Sequence, residues 1–120
     1  MKSILLVEDE EDLVETGKTF LIDAGYEVDT AYDGLEAMEK IYEKRYDLIL
    51  LDITIPEMDG YQVLRMLKND PSYKDTPVVL VTAKTLKADK FRGMETGADE
   101  YLTKPYNPSE LLSMVKSFIE

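Results

Sequence analysis

Asp52 closes the apolar run Leu48-Ile49-Leu50-Leu51, and a carboxylate delivered by such a run is the strongest chemical signal in the chain. A stretch with no polar interruption reads as a strand buried on both faces, as in parallel α/β sheets. Its C-terminal end then lies at the sheet edge where open α/β folds bind ligands. Other apolar stretches also end in reactive groups. Ile4-Leu5-Leu6-Val7 runs into Glu8-Asp9, Val78-Val79-Leu80-Val81 into Thr82, and Tyr101-Leu102-Thr103 into Lys104-Pro105. Three carboxylates, a hydroxyl and an ammonium are therefore expected at one edge of one sheet.

Carboxylates of Glu8, Asp9 and Asp52 around one point would repel each other without a cation. Mg²⁺ suits them: it takes oxygen ligands, needs only one or two carboxylates, and leaves room for water and a phosphate oxygen. Such clusters also suit Ca²⁺, but the EF-hand loop spacing is missing. Asp52 can itself be a nucleophile, as carboxylates are in aspartyl-phosphate chemistry. Phosphoryl transfer asks mainly for positioning and charge neutralisation. The Lys104 ammonium would take part of that charge, and the Thr82 hydroxyl would donate to a phosphoryl oxygen. Each residue has a plainer reading. Glu10, Glu11 and Asp12 suit the first turn of a helix, a strand-end Thr is often a turn former, and a lone Lys is usually solvated. Their coincidence at strand ends favours a site.

The elements that must position these groups alternate along the chain. After the first strand, Leu13, Val14, Phe20, Leu21 and Ile22 recur at near-helical spacing, and Gly25 is a natural stop. Residues 26–31 alternate like a strand with one solvated face. Gly34 opens a helix with Ala37, Met38, Ile41 and Tyr42 on one stripe. The Asp52 strand follows, Pro56 breaks it, and a helix after Gly60 turns Val63, Leu64 and Leu67 inward. Pro77 introduces the fourth strand, residues 87–96 read as a helix stopped by Gly97, and Pro108-Ser109 starts a last helix facing Leu111, Leu112, Val115 and Ile119 to the core. Met38, Met66, Met94 and Met114 read as core filler. Five strands alternating with helices imply crossover connections and a parallel sheet. The expectation is one domain over residues 1–120, with helices on both faces.

The composition narrows the function. A chain of 120 residues buries roughly two-thirds of its unfolded surface, and 44% hydrophobic residues support a real core. A net charge of −11 argues against direct nucleic-acid binding, which needs clustered Lys and Arg. It says nothing against an acidic domain that controls a DNA-binding partner. With no cysteine and no histidine, thiol chemistry, His catalysis and phosphohistidine on this chain are excluded. Nothing approaches the ~20 apolar residues of a membrane span, so a soluble, cytoplasmic protein is expected.

These residues together resemble the receiver (CheY-like) domain of two-component response regulators, over the whole chain. Glu8-Asp9 match the acidic pair, Asp52 the phosphoacceptor, Thr82-Ala83 the switch hydroxyl and its small neighbour, and Lys104-Pro105 the characteristic Lys-Pro. The stretches 56–60 (PEMDG) and 76–83 (TPVVLVTA) are also typical of the family. The resemblance implies a flavodoxin-like strand order 2-1-3-4-5. It implies that Asp9 binds Mg²⁺ directly and Glu8 through water, that the Thr54 backbone carbonyl joins them beside Asp52, and that Mn²⁺ can substitute. It implies a cis Lys104-Pro105 peptide, and a Tyr101 that rotates inward when Thr82 moves toward the phosphoryl group. Thr54 and Lys84 sit where the family tunes hydrolysis of the acyl phosphate. Glu8 replaces the commoner Asp, and Tyr106 the frequent Phe.

The implied function is a phosphorylation-dependent switch. A histidine kinase or histidine phosphotransfer protein donates to Asp52, and the face built by the fourth helix, fifth strand and fifth helix binds an output protein or a fused effector domain. On this reading the chain is no turnover enzyme, touches neither nucleic acid nor membrane, and is a monomer for which dimerisation on phosphorylation stays open. Between Lys84 and Arg92 there are four basic residues (Lys84, Lys87, Lys90, Arg92) against one acid, Asp89. In a chain this acidic, that excess is expected to dock an acidic partner segment. Reversing Lys87 and Lys90 to Glu should then weaken partner binding without slowing phosphorylation, and unchanged binding would retire the idea. Other classes fit less well. A haloacid-dehalogenase-type phosphatase needs a second acid two residues after the nucleophile, where Thr54 stands. An FMN carrier needs a phosphate loop after the first strand, where Glu8-Asp9-Glu10 would repel the phosphate. A receiver-like interaction module that is never phosphorylated stays open.

Overall fold

The computed structural model describes residues 1–53, 55, 57–82 and 97–120. Five strands, β1 (Ser3–Val7), β2 (Glu27–Ala31), β3 (Leu48–Asp52), β4 (Val78–Thr82) and β5 (Glu100–Thr103), form one parallel sheet in the order 2-1-3-4-5. The helices among the described residues are α1 (Glu11–Asp23), α2 (Gly34–Glu43), α3 (Gly60–Lys68) and α4 (Pro108–Ile119). The helix expected over 87–96 lies outside the described residues, as do Thr54, Pro56, Ala83, Lys84, Lys87, Lys90, Arg92 and Met94. No described helix is long and apolar enough to cross a membrane.

Every residue of β1, β3 and β4 is buried, because each strand feeds two cores. Side chains alternate across a strand, so Leu5, Val7, Ile49, Leu51, Val78 and Leu80 pack with the inward stripes of α2 and α3. Their neighbours Ile4, Leu6, Leu48, Leu50, Val79 and Val81 pack on the other face with Leu21 of α1 and Leu111, Val115 and Ile119 of α4. Continuous apolar strands with helices on both faces are what a parallel sheet requires. β2 is an edge strand and is only partly buried. Charge covers it: Lys44 pairs with Glu27 and Asp29, and the buried Tyr46 hydroxyl donates to Asp29 at 2.7 Å.

Some side chains depart from the expected stripes. Tyr42 faces outward, 55% exposed, with its ring edge-on to Tyr73 at 5.7 Å. It adjoins Ile41 in sequence, and the turn of about 100° between consecutive helical residues carries it off the Ala37–Met38–Ile41 face. Phe20 and Ile22 are likewise exposed on either side of buried Leu21. Met38 is core filler as expected, whereas Met66 is exposed on α3.

The start of α3 is fastened to the end of β3. Asp59 caps the helix by accepting from the Gln62 amide, and the Gln62 side chain accepts from the Asp59 amide. The Gly60 amide donates to the Ile53 carbonyl at 3.0 Å. A Cβ on Gly60 would sit 2.6 Å from the Asp52 carbonyl oxygen and 2.7 Å from Ile53 Cα. Alanine in a helix normally gains about 1 kcal/mol over glycine, but forced overpacking costs roughly 1–3 kcal/mol. Here the obstacle is backbone, so the clash wins. Gly60→Ala is expected to lower unfolding free energy by roughly 1–2 kcal/mol in a urea titration. An unchanged midpoint would show that α3 can retreat from β3.

Candidate functional site

Four strand ends deliver the site. Asp52 and Thr82 are the last residues of β3 and β4, while Glu8 and Lys104 directly follow β1 and β5. The sheet continues between these ends through backbone bonds. Glu8 N–H donates to the Ala31 carbonyl at 3.0 Å, Ile53 N–H to Val81 at 3.2 Å, and Lys104 N–H to Thr82 at 2.7 Å. The Lys104–Pro105 peptide is cis.

Glu8, Asp52 and Thr82 are buried polar residues, at 3%, 4% and 0% exposure, at the ends of strands that are mainly aliphatic. The Lys104 ammonium resolves part of that cost. It donates to Asp52 Oδ2 at 2.7 Å and to Glu8 Oε1. Glu8 Oε2 accepts from the Glu10 amide at 3.1 Å. Burial pushes the Glu8 carboxyl up to about 7 against the opposing Lys104 hydrogen bond, with the Asp52 charge adding to the rise. Burial also works against the Lys104 ammonium, but its hydrogen bonds to Asp52 and Glu8 together outweigh it and hold its pKa above the usual lysine value. One ammonium thus faces a cluster with more negative charge than it can neutralise.

One oxygen from each of Glu8, Asp9 and Asp52 lies within 4.8 Å of the others. Asp9 is exposed and opens the cluster to solvent. An all-oxygen, carboxylate donor set of this size is what Mg²⁺ takes, so these residues fit that ion. The Thr54 carbonyl, expected beside them, lies outside the described residues. Next to the cluster, between α1 and the segment after β5, runs a groove of about 380 Å³ lined by Leu13, Gly17, Phe20, Lys104, Pro105 and Tyr106. Burial raises the Tyr106 phenol above its ordinary pKa, so that side chain stays neutral beside the charged site.

The structure therefore brings Glu8, Asp9, Asp52 and Lys104 into one cluster and sets Thr82 at the adjoining strand end. Tyr101 is only 9% exposed, in the core on the α2–α3 face. The sequence reading missed its neighbour. The Tyr61 hydroxyl lies 3.2 Å from the Tyr101 hydroxyl, both buried. A tyrosine at the second position of a helix, on its apolar face, was the available signal; that it meets a residue 40 positions away is tertiary information. The basic residues Lys84, Lys87, Lys90 and Arg92 are outside the described residues.

Comparison with known proteins adds findings of three kinds. The family model described as the response regulator receiver domain matches residues 4–116. The transcriptional regulatory protein DltR of Streptococcus agalactiae is 41% identical over 94% of this chain and 50% of its own length. Protein PilG of Pseudomonas aeruginosa is 36% identical over 97% of this chain and 86% of its own. The chain thus spans about half the length of a regulator such as DltR. Among solved structures, chemotaxis response regulator CheY4 of Vibrio cholerae superposes with a TM-score of 0.94 at 36% identity, covering 98% of both chains. The receiver domain of a sensor histidine kinase from Pseudomonas aeruginosa PAO1, with a magnesium ion coordinated in its active site cleft, superposes at 0.91 with 31% identity, covering 98% of this chain and 97% of that one.

Proposed function

The chain belongs to the response regulator receiver domain family, and from that premise we propose that it is a two-component switch phosphorylated on Asp52. The observation that carries the reading is the Lys104 ammonium 2.7 Å from a buried Asp52 carboxylate, inside a cluster of three acids. An isolated buried carboxylate would shed its charge. Asp52 is not isolated, because the Lys104 ammonium is fixed against it.

The proposed donor is a phosphohistidine on a histidine kinase or phosphotransfer protein, or a small acyl phosphate. An Asp52 oxygen attacks phosphorus, an O–P bond forms, and the P–N or P–O bond to the donor breaks. The donor leaves with the electron pair, an imidazole taking up a proton and an acyl donor departing as its carboxylate. Lys104 pairs with the incoming phosphoryl charge, and the Thr82 hydroxyl donates to a phosphoryl oxygen. Mg²⁺, or Mn²⁺ in its place, held by Asp9 and Asp52 with Glu8 and the Thr54 carbonyl beside them, would neutralise phosphoryl oxygens; a receiver of similar structure holds magnesium in its cleft. The groove beside Lys104 is a place for side chains of a donor protein to enter. The chain speeds only its own phosphorylation and hydrolysis.

Phosphorylation then shifts an existing two-state equilibrium through Thr82 and Tyr101. The affected face includes β5 and α4, and it meets an output protein or a fused effector domain. The basic excess at Lys84, Lys87, Lys90 and Arg92 matches an acidic segment on that partner. The proposed setting is the cytoplasm. Amide and tyrosine-ring NMR spectra before and after acetyl phosphate with Mg²⁺ test the switch. Shifts are expected at Thr82, at Tyr101 and along β5 and α4. Changes confined to residues around Glu8, Asp9 and Asp52 would contradict it.

A further inference from the structure

Tyr61 and Tyr101 place two hydroxyls 3.2 Å apart within the cluster of aliphatic side chains between the sheet and α2–α3. Tyr61 is 3% exposed and Tyr101 9%. Packing alone does not account for this pair. Phenylalanine would fill nearly the same volume at either position without burying a polar atom that must be partnered. The two tyrosines also differ in how firmly they are held. Tyr61 is the second residue of α3, whose first turn is tied to β3 by the Asp59–Gln62 capping box, the Gly60–Ile53 hydrogen bond and the close approach of Gly60 to the Asp52 backbone. Tyr101 lies on β5, two strands away from Asp52, and is the residue proposed to rotate.

We infer that Tyr61 is a positioning residue: its hydroxyl, carried by a helix start that is tied to the end of the Asp52 strand, holds Tyr101 inward and sets the resting balance of the switch. The inference rests on the reading of Tyr101 as the rotating residue. The hydroxyl contact exists only while Tyr101 is in, so it contributes to one of the two states and not the other. Only such a differential interaction can move an equilibrium. The net effect of one hydrogen bond corresponds to roughly a two- to tenfold change in the ratio of inward to outward Tyr101. Tyr61 thus raises the inward fraction before any phosphoryl group arrives, and reduces the shift that phosphorylation must supply. It also links Tyr101 to the acceptor strand by a route separate from Thr82.

The test is NMR of the chain with ¹³C-labelled aromatic rings, in the presence of a soluble paramagnetic relaxation agent, for the wild type and Tyr61→Phe. Without any phosphodonor, the ring of residue 101 is expected to become more accessible to the agent in Tyr61→Phe, by an amount matching a two- to tenfold shift toward the outward state. The same ring in Tyr101→Phe is expected to be shifted outward too, with Tyr61→Phe adding nothing further in that background. Equal accessibility in wild type and Tyr61→Phe would overturn the inference. So would a Tyr61→Phe effect of the same size in both backgrounds, since that is a packing effect. A loss of thermal stability with ring accessibility unchanged counts against it as well. Intact mass of the wild type after acetyl phosphate is read separately. Absence of an adduct there sinks the phosphoacceptor reading, while the ring data still decide the role of Tyr61.

Discussion

Lys104→Ala is expected to slow phosphoryl uptake from acetyl phosphate by about 10²- to 10³-fold at saturating Mg²⁺, the usual cost of removing one preorganised group that stabilises developing charge. The side chain is well placed for that effect. It is 14% exposed, bonded to both Asp52 and Glu8, and held by a backbone that donates to the Thr82 carbonyl. Its positive charge is therefore in place before the phosphoryl group arrives. Truncation also leaves two buried carboxylates without their cation, a change that costs about 3–5 kcal/mol where nothing adjusts. Adjustment is available here, because the Glu8 carboxyl, already pushed up to about 7, can take a proton. The stability loss should therefore fall below that range, and the variant should still fold. Time-resolved intact mass gives the uptake rate, and Lys104→Arg provides a variant that keeps the charge. A Lys104→Ala rate within about threefold of wild type would remove Lys104 from the proposed chemistry.

Asp9→Asn is expected to reverse the stability order of variant and wild type between EDTA and Mg²⁺. The three carboxylates have oxygens within 4.8 Å of one another. At such a distance two like charges near a surface repel by roughly 1–3 kcal/mol, depending on the effective dielectric, and one lysine offsets only part of this. Neutralising Asp9 in EDTA should raise stability by about 1 kcal/mol, a Tm increase of roughly 3–6 °C for a domain of this size. Mg²⁺ stabilises whichever protein binds it, by about 2.7 kcal/mol at 100 times Kd. The variant should lose at least the roughly 10- to 100-fold in affinity that even an outer-sphere partner is worth. Wild type should then be the more stable protein in excess Mg²⁺. Thermal melts in both conditions check this. The same order in both would mean that Asp9 is not part of the metal site.

Much of this site is legible in the sequence because the groups that form it sit at the ends of uninterrupted apolar strands. Once Leu48–Leu51, Ile4–Val7 and Val78–Val81 are read as parallel strands, Asp52, Glu8 and Thr82 must emerge at the same edge. The strand order is different: periodicity does not decide it, and it came from the family resemblance before the sheet confirmed it. Side-chain directions near helix stripes were the weaker part. Tyr42, expected on the stripe of Ala37, Met38 and Ile41, points to solvent. Hydrophobic type does not distinguish a stripe residue from its immediate neighbour. In the sequence Gly60 marks only where a helix begins, and its lack of a Cβ matters because the Asp52 backbone passes so close. The Tyr61–Tyr101 contact joins two elements whose adjacency no local pattern contains.

Phosphoryl acceptance by Asp52 in a metal-dependent reaction is the step on which the proposed switch depends. It is tested most directly by intact mass after incubation with acetyl phosphate and Mg²⁺, beside Asp52→Asn and EDTA controls. An adduct of about 80 Da, one added HPO₃, is expected on the wild type and on neither control. An adduct that persists in Asp52→Asn, or none on the wild type under conditions that label an ordinary receiver, would contradict it.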